Sequence, residues 1–243
     1  MNNMNQINEF KISVYRAIDE PTLCEEYSVG HIKVLTDFGI VNVTSSNKNW
    51  LDNKNTFCII AQEKSTNKMV GGIKIQVADN LFPLPVETAI GKIDKRIFDN
   101  VKYYKENGGV AELCGLWVSN QIKGIGMAAY LVRSAIASTK QLEFATMIGI
   151  CAGYSLKMFK NVGFKIDSGL GDSGNFSYPN ENYIAHVVGI LNASTLENAS
   201  EFDKNIMLNL RANPIQDQEE VTNNIKTNIS YNLIYKTVSI DNF

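Results

Sequence analysis

One six-residue turn constrains this chain more than any other stretch: Gln121-Ile122-Lys123-Gly124-Ile125-Gly126. Before it runs Val110-Ala111-Glu112-Leu113-Cys114-Gly115-Leu116-Trp117-Val118, which reads as a buried strand. After it, Met127 to Ala137 reads as a helix. A glycine turn from strand to helix leaves backbone N–H groups of the first helical turn without partners, and the helix dipole adds partial positive charge there. Glycines at 124 and 126 remove the Cβ atoms that would keep a ligand off that backbone. The stretch therefore reads as a cradle for a pyrophosphate.

Gln-x-x-Gly-x-Gly in this setting resembles the acyl-CoA-binding motif, Gln/Arg-x-x-Gly-x-Gly/Ala, of the GCN5-related N-acetyltransferases, the GNAT superfamily. The match falls on Gln121, Gly124 and Gly126. Downstream, a second strand-like run at Phe144–Ile150 leads to a short helix ending in Phe159-Lys160-Asn161-Val162-Gly163-Phe164, which resembles the family's Tyr-x-x-x-Gly-Phe ending. The motif-level resemblance covers Gly109 to Ile166, and the order of elements agrees from Phe10 to Asn192. It implies an α/β (α+β) GNAT fold: a central mixed, mostly antiparallel twisted sheet, splayed between strands 4 and 5, with helices on both faces. It also implies an acyltransferase domain over residues 10–192 with an insertion at 79–108. Residues 193–243 would be an extension packed on the same domain.

The remaining chain fits that order. Phe10–Ile18 alternates as a first strand, and Asp19 caps a helix that has Pro21 just inside it and Gly39 at its end. Val41–Asn55 is loop-like, with Trp50 as a local packing anchor. Thr56–Gln62 and Met69–Val77 form a hairpin. In the insertion, the prolines of Leu81–Val86 argue against a regular element, while Ile97–Tyr104 has helical spacing. Insertions at this point occur in the acyl-homoserine-lactone synthases and long-chain N-acyl amino acid synthases, which share the GNAT fold. Glu112-Leu113-Cys114 distantly resembles their Glu-Leu-Ser-Arg segment, with Gly115 where the arginine would stand. The Gly169–Asn175 run reads as a flexible loop between two strands that close the sheet as an antiparallel pair. Ser194-Thr195-Leu196-Glu197 reads as a capped helix start. The acidic Gln216–Glu220 stretch breaks the pattern, and Ile229–Ile240 alternates weakly.

Composition narrows the function. A net charge of -2 gives no electrostatic case for nucleic acid or an anionic membrane, and 44% apolar residues suffice for a core. No apolar run is long enough to span a bilayer, and the N-terminus has no signal-peptide pattern. Cys24, Cys58, Cys114 and Cys151 are far apart, as expected of reduced thiols in a cytoplasmic protein. No metal-ligand spacing occurs, and His31 and His186 read as structural.

Acyl transfer to an amine requires a held donor, a polarised carbonyl and a base. By the resemblance, the backbone of Gln121, Ile122, Lys123, Gly124, Ile125, Gly126 and Met127 binds the CoA pyrophosphate. Leu116, Trp117 and Val118 pair with its pantetheine arm. The family's usual spacing back from Gln121 reaches Leu116 rather than Val118, and strand alternation puts Glu112, Cys114, Leu116 and Val118 on one face. Glu112 then falls where many GNAT enzymes place a general base. The competing reading is a solvent-facing glutamate satisfied by a lysine. Cys114 lines the acyl pocket or, less in keeping with its surroundings, acts as a thiol. Phe159 occupies the place of the tyrosine that protonates the leaving thiolate. Tyr154 either substitutes for it or packs at the helix N-terminus. These readings lead to an N-acyltransferase using acetyl-CoA or another acyl-CoA on a small-molecule amine or amino acid, as monomer or homodimer. A longer acyl chain carried by CoA or acyl carrier protein is the variant reading. A silent acyl-CoA-binding regulatory module is the alternative from another class.

Overall fold

The computed structural model describes residues 8–40 and 48–235. Period-two apolar alternation sets out β1 (Asn8–Arg16), whereas β2 (Thr56–Glu63) and β3 (Met69–Val77) are runs buried on both faces; α1 (Pro21–Asp37) connects the first two. Two helices, α2 (Pro85–Ile90) and α3 (Arg96–Glu106), precede β4 (Val110–Val118). Then come α4 (Met127–Ala137), β5 (Thr146–Ala152), α5 (Leu156–Asn161), β6 (Lys165–Ile166), β7 (Asn175–Ser177) and β8 (Ile184–Ile190). The chain continues through α6 (Glu201–Ala212), β9 (Ile215–Thr222) and β10 (Ile225–Asn232).

These strands make one sheet, ordered β6-β8-β5-β4-β3-β2-β1-β10-β9, with β7 also on β8. Only β4·β5 and β1·β10 pair in parallel among the described strands. Leu131, Val132, Ala135 and Ile136 of α4 pack into the core under Ile73 and Ile75 of β3. On the opposite face Tyr27 of α1 packs with Trp50, Cys58 and Trp117. Helices therefore cover both faces of a mixed, mostly antiparallel sheet.

Four local expectations change. Asp19 is not the cap of α1: Glu20 holds that position, without a side-chain cap bond. The prolines at 83–85 do not exclude a helix, because Pro85 is the first residue of α2, where an N–H would find no acceptor anyway. The helix expected from Ser194 starts at Glu201. Ser200 Oγ accepts from the Asp203 N–H at 3.2 Å, whereas Ser194 Oγ donates to Asn192 Oδ1. The acidic Gln216–Glu220 stretch is part of edge strand β9, whose exposed Asp217 and Glu219 alternate with buried Glu220. Of the Ile229–Ile240 run, residues up to 232 extend β10 and those from 236 lie outside the described residues.

Residues 193–235 thus add a helix and two strands to the same sheet. A buried charge cluster fastens them to α4: Arg133 Nε donates to Asp203 at 2.7 Å, and its Nη1 to Glu220 at 3.2 Å.

Candidate active site

β4 and β5 stay paired from Val110↔Thr146 to Leu113↔Gly149 and then part. The departure is built into β4. Its register on β3 jumps between Gly72↔Trp117 and Lys74↔Cys114, so one extra residue bulges out of β4. Gly115 lies in that bulge at φ +65°, and the Tyr27 hydroxyl fills the place a Cβ would take while donating to the Gly115 carbonyl at 2.6 Å. An arginine would collide there, which explains the departure from the synthases' pattern.

The bulge also corrects the expected alternation. Glu112 and Cys114 face the α1 side, but Leu116 and Val118 pack toward the α4 core, and Trp117 joins Tyr27 and Trp50. Between the parted strands opens a cleft of about 500 Å³, lined by Glu112, Cys114, Leu116, Val118, Lys123 and Phe159 among others.

At one end of the cleft stands the glycine turn. Ser119 Oγ accepts from the Gln121 N–H at 3.3 Å, and Lys68 donates to the Gln121 amide oxygen at 2.8 Å, so the start of the loop is held. Gly124 and Gly126 both adopt left-handed backbone, at φ +86° and +88°. The N–H groups from Lys123 to Ala128 meet no acceptor among the described residues. Side chains contribute less: Ile125 and Met127 are buried in the core and Ile122 packs against it.

The two glycines are not equivalent. A Cβ on Gly124 would meet open space, whereas one on Gly126 would meet Thr222 and Tyr130. Gly124 is open toward a ligand; Gly126 is glycine because the tail packs on it. The Tyr130 hydroxyl hydrogen-bonds Thr222 at 2.8 Å, and Asn223 donates to the Gly124 carbonyl at 2.9 Å, so the β9–β10 hairpin tip braces the loop.

At the other end Glu112 is buried rather than solvent-facing, with 1% exposure. One carboxylate oxygen accepts from the Val86 N–H of α2 at 2.7 Å, and the other accepts no hydrogen bond from the described residues. Burial pushes its pKa up to about 8, against weaker lowering by the Val86 bond and Lys74. Cys114 beside it is pushed up to about 12 by burial, which leaves a protonated thiol and a poor nucleophile. Phe159 is buried edge-on against Phe164, ring centroids 5.3 Å apart. Tyr154 does not pack at a helix N-terminus: it stands 88% exposed on the rim of the cleft.

Two neighbours of the cleft were not singled out as site residues from sequence. His31 lines it, stacked on Tyr27, with its pKa lowered to about 4 by burial and then by Lys74, so its imidazole is neutral near pH 7. Lys74 is 2% exposed, its Nζ 4.4 Å from the centre of the Trp50 ring. The available signal was a lysine at an inward position of an otherwise apolar strand, and a histidine one helical turn after Tyr27. Among the described residues no group of three or more His, Cys, Asp or Glu is arranged to hold a metal ion, and no helix is long and apolar enough to cross a membrane. All four cysteines are free.

No protein-family model and no curated protein sequence matches the chain. Solved structures do. FeeM, an N-acyl amino acid synthase from uncultured soil microbes, superposes with a TM-score of 0.60 at 12% identity, over 80% of this chain and 97% of that one. MesI, a CoA-dependent acyl-homoserine lactone synthase, gives 0.52 at 10% identity over 81% and 94%. BjaI, another such synthase, solved with SAM and isopentyl-CoA, gives 0.50 at 11% over 83% and 89%. At such identities the likeness establishes a shared fold, the fold expected from the glycine turn.

Proposed function

We propose that this chain of GNAT fold is an N-acyltransferase that moves an acyl group, acetyl in the simplest case, from acyl-CoA to a primary amine of a small molecule or amino acid. The observation that carries the reading is the joining of two features by one strand. Six consecutive N–H groups without acceptors among the described residues, from Lys123 to Ala128, follow its end, and a buried carboxylate, Glu112, lies near its start, with one cleft between them.

The chemistry follows from that arrangement. The turn binds the CoA diphosphate, and Lys123 adds positive charge. Backbone around Leu116 and Val118, freed where β4 leaves β5, pairs with the pantetheine arm and polarises the thioester carbonyl. The free oxygen of Glu112 takes a proton from the substrate ammonium, directly or through one water. The amine nitrogen then bonds to the carbonyl carbon, the C–S bond breaks, and the sulfur leaves with the electron pair as thiolate, while the second proton on the nitrogen passes to the thiolate or to water. With a pKa of about 8, Glu112 is partly ionised near neutral pH and basic enough to accept that proton. A CoA thiolate is stable enough to depart unaided, so phenylalanine at 159 does not block turnover. Tyr154 on the rim is the residue we assign to proton return when one is needed. Free thiols fit a reducing cytoplasm.

The test is release of free thiol when purified protein meets acetyl-CoA and a broad panel of amines. Binding of CoA without release from any acyl-CoA or acyl carrier protein donor would instead support a silent acyl-CoA-binding module. A second reading, a longer acyl chain, is favoured by the apolar walls Val34, Leu35, Phe38 and Met158. Competition between acetyl and long-chain donors decides between the two.

A further inference from the structure

Beside the cleft lies a second cavity, of about 340 Å³, lined by Trp50, Lys74, Gln76, Phe82 and Pro85 among others. Pro85 borders both spaces. Lys74 is almost wholly buried, yet its Nζ has no hydrogen-bond acceptor and no carboxylate within 4 Å among the described residues. The indole N–H of Trp50, whose ring underlies that ammonium, also lacks an acceptor among the described residues. The attraction of a cation to an aromatic face is smaller than the cost of stripping water from a buried ion, and the Trp50 ring is all that faces the ammonium among the described groups able to offset that cost at contact distance.

We infer that Lys74 is the anion-binding end of the acceptor site, so that the amine acylated here carries a carboxylate a few bonds from its nitrogen. This rests on the acyl-transfer reading of the cleft. The register supplies the geometry. Lys74 pairs with Cys114 and Gln76 with Glu112, which makes Lys74 and Glu112 diagonal neighbours on one face of the sheet. Diagonal Cα atoms lie about 7–8 Å apart, a gap that a short zwitterion bridges. The lysine and the glutamate are held near one another without forming an ion pair. That arrangement complements a zwitterion, whose ammonium turns to Glu112 and whose carboxylate turns to Lys74. Gln76 donates to the Pro83 carbonyl at 3.0 Å and keeps the insertion folded over this end of the site.

The experiment compares leucine with leucinamide and isopentylamine, which share the side chain but lack the carboxylate. Binding is read by tryptophan fluorescence and turnover by thiol release, in wild type and in Lys74→Met. Methionine removes a buried unpaired charge, so the variant is expected to fold, and Lys74→Arg tests whether charge alone restores the effect. The expected result is tighter binding of leucine than of leucinamide by tenfold or more. In Lys74→Met that preference disappears, and KM for leucine rises at least tenfold relative to KM for the two amines that lack the carboxylate, whatever common change in kcat follows from the lost charge beside Glu112. Equal binding of all three by the wild type, or a preference that survives Lys74→Met, would overturn the inference. A carboxylate preference in binding without thiol release from any donor would leave the subsite standing and remove the acyl-transfer reading alone.

Discussion

The two ends of β4 work by different means. At the proposed donor end the functional groups are backbone N–H donors, positioned by a turn of consecutive residues. At the proposed acceptor end they are side chains, Glu112 and Lys74, brought together from β4 and β3. A backbone site is written in local sequence, because glycine at a left-handed position and a following helix suffice to define it. A side-chain site depends on pairing register and on burial, which single-sequence reading does not contain.

This difference yields predictions, the largest at the acceptor end. Glu112→Gln should lower kcat by about 10²–10⁴-fold, the range for loss of a general base, and leave CoA affinity unchanged in a titration. In the wild type the rate should rise with pH through about 8 as Glu112 ionises, and that limb should vanish in the variant. An unaltered profile would remove Glu112 from the role of base.

At the donor end the contrast is between the glycines. Gly126→Val meets Thr222 and Tyr130 as well as the left-handed backbone, so it should lower stability by about 3 kcal/mol or more and weaken CoA binding together. Gly124→Val faces open space, so it should cost about 1–3 kcal/mol from backbone strain alone while CoA affinity falls at least tenfold. Equal stability losses would mean that the hairpin tip does not brace the loop.

Glu112 also makes a prediction in stability. Folding raises its pKa from near 4.5 to about 8, so over that interval the folded protein holds a proton the unfolded chain has released. The contribution is fully present below the unfolded pKa and is lost as pH rises to about 8, by a few kcal/mol. Glu112→Gln should flatten that decline in denaturant titrations between pH 5 and 8. The smallest effect is expected at Phe159→Tyr. If the thiolate leaves unaided, kcat should change by less than about threefold, against the 10²–10⁴ of a working acid.

Much of the fold could be read beforehand for the same reason as the donor end. The β2–β3 hairpin, the strand–turn–helix at Val110–Ala137 and the antiparallel pairing of β6 with β8 all follow from short-range periodicity and turn residues. What could not be read came from contacts distant in sequence. The bulge that turns Leu116 and Val118 away from Glu112 depends on Gly115 meeting Tyr27, 88 residues earlier. The acidic stretch at 216–220 becomes a strand because Glu220 has Arg133 to pair with and β10 to bond to. Lys74 hid in an apolar strand because burial of a lysine is not visible until the sheet is assembled.

In the proposed function, backbone amides of the glycine turn grip a diphosphate. The most direct measurement is a calorimetric comparison of CoA with pantetheine, which has the same thiol arm and no diphosphate. CoA should bind far more tightly than pantetheine, by about a hundredfold or more, equivalent to roughly 2.7 kcal/mol. Equal affinity for the two would contradict it.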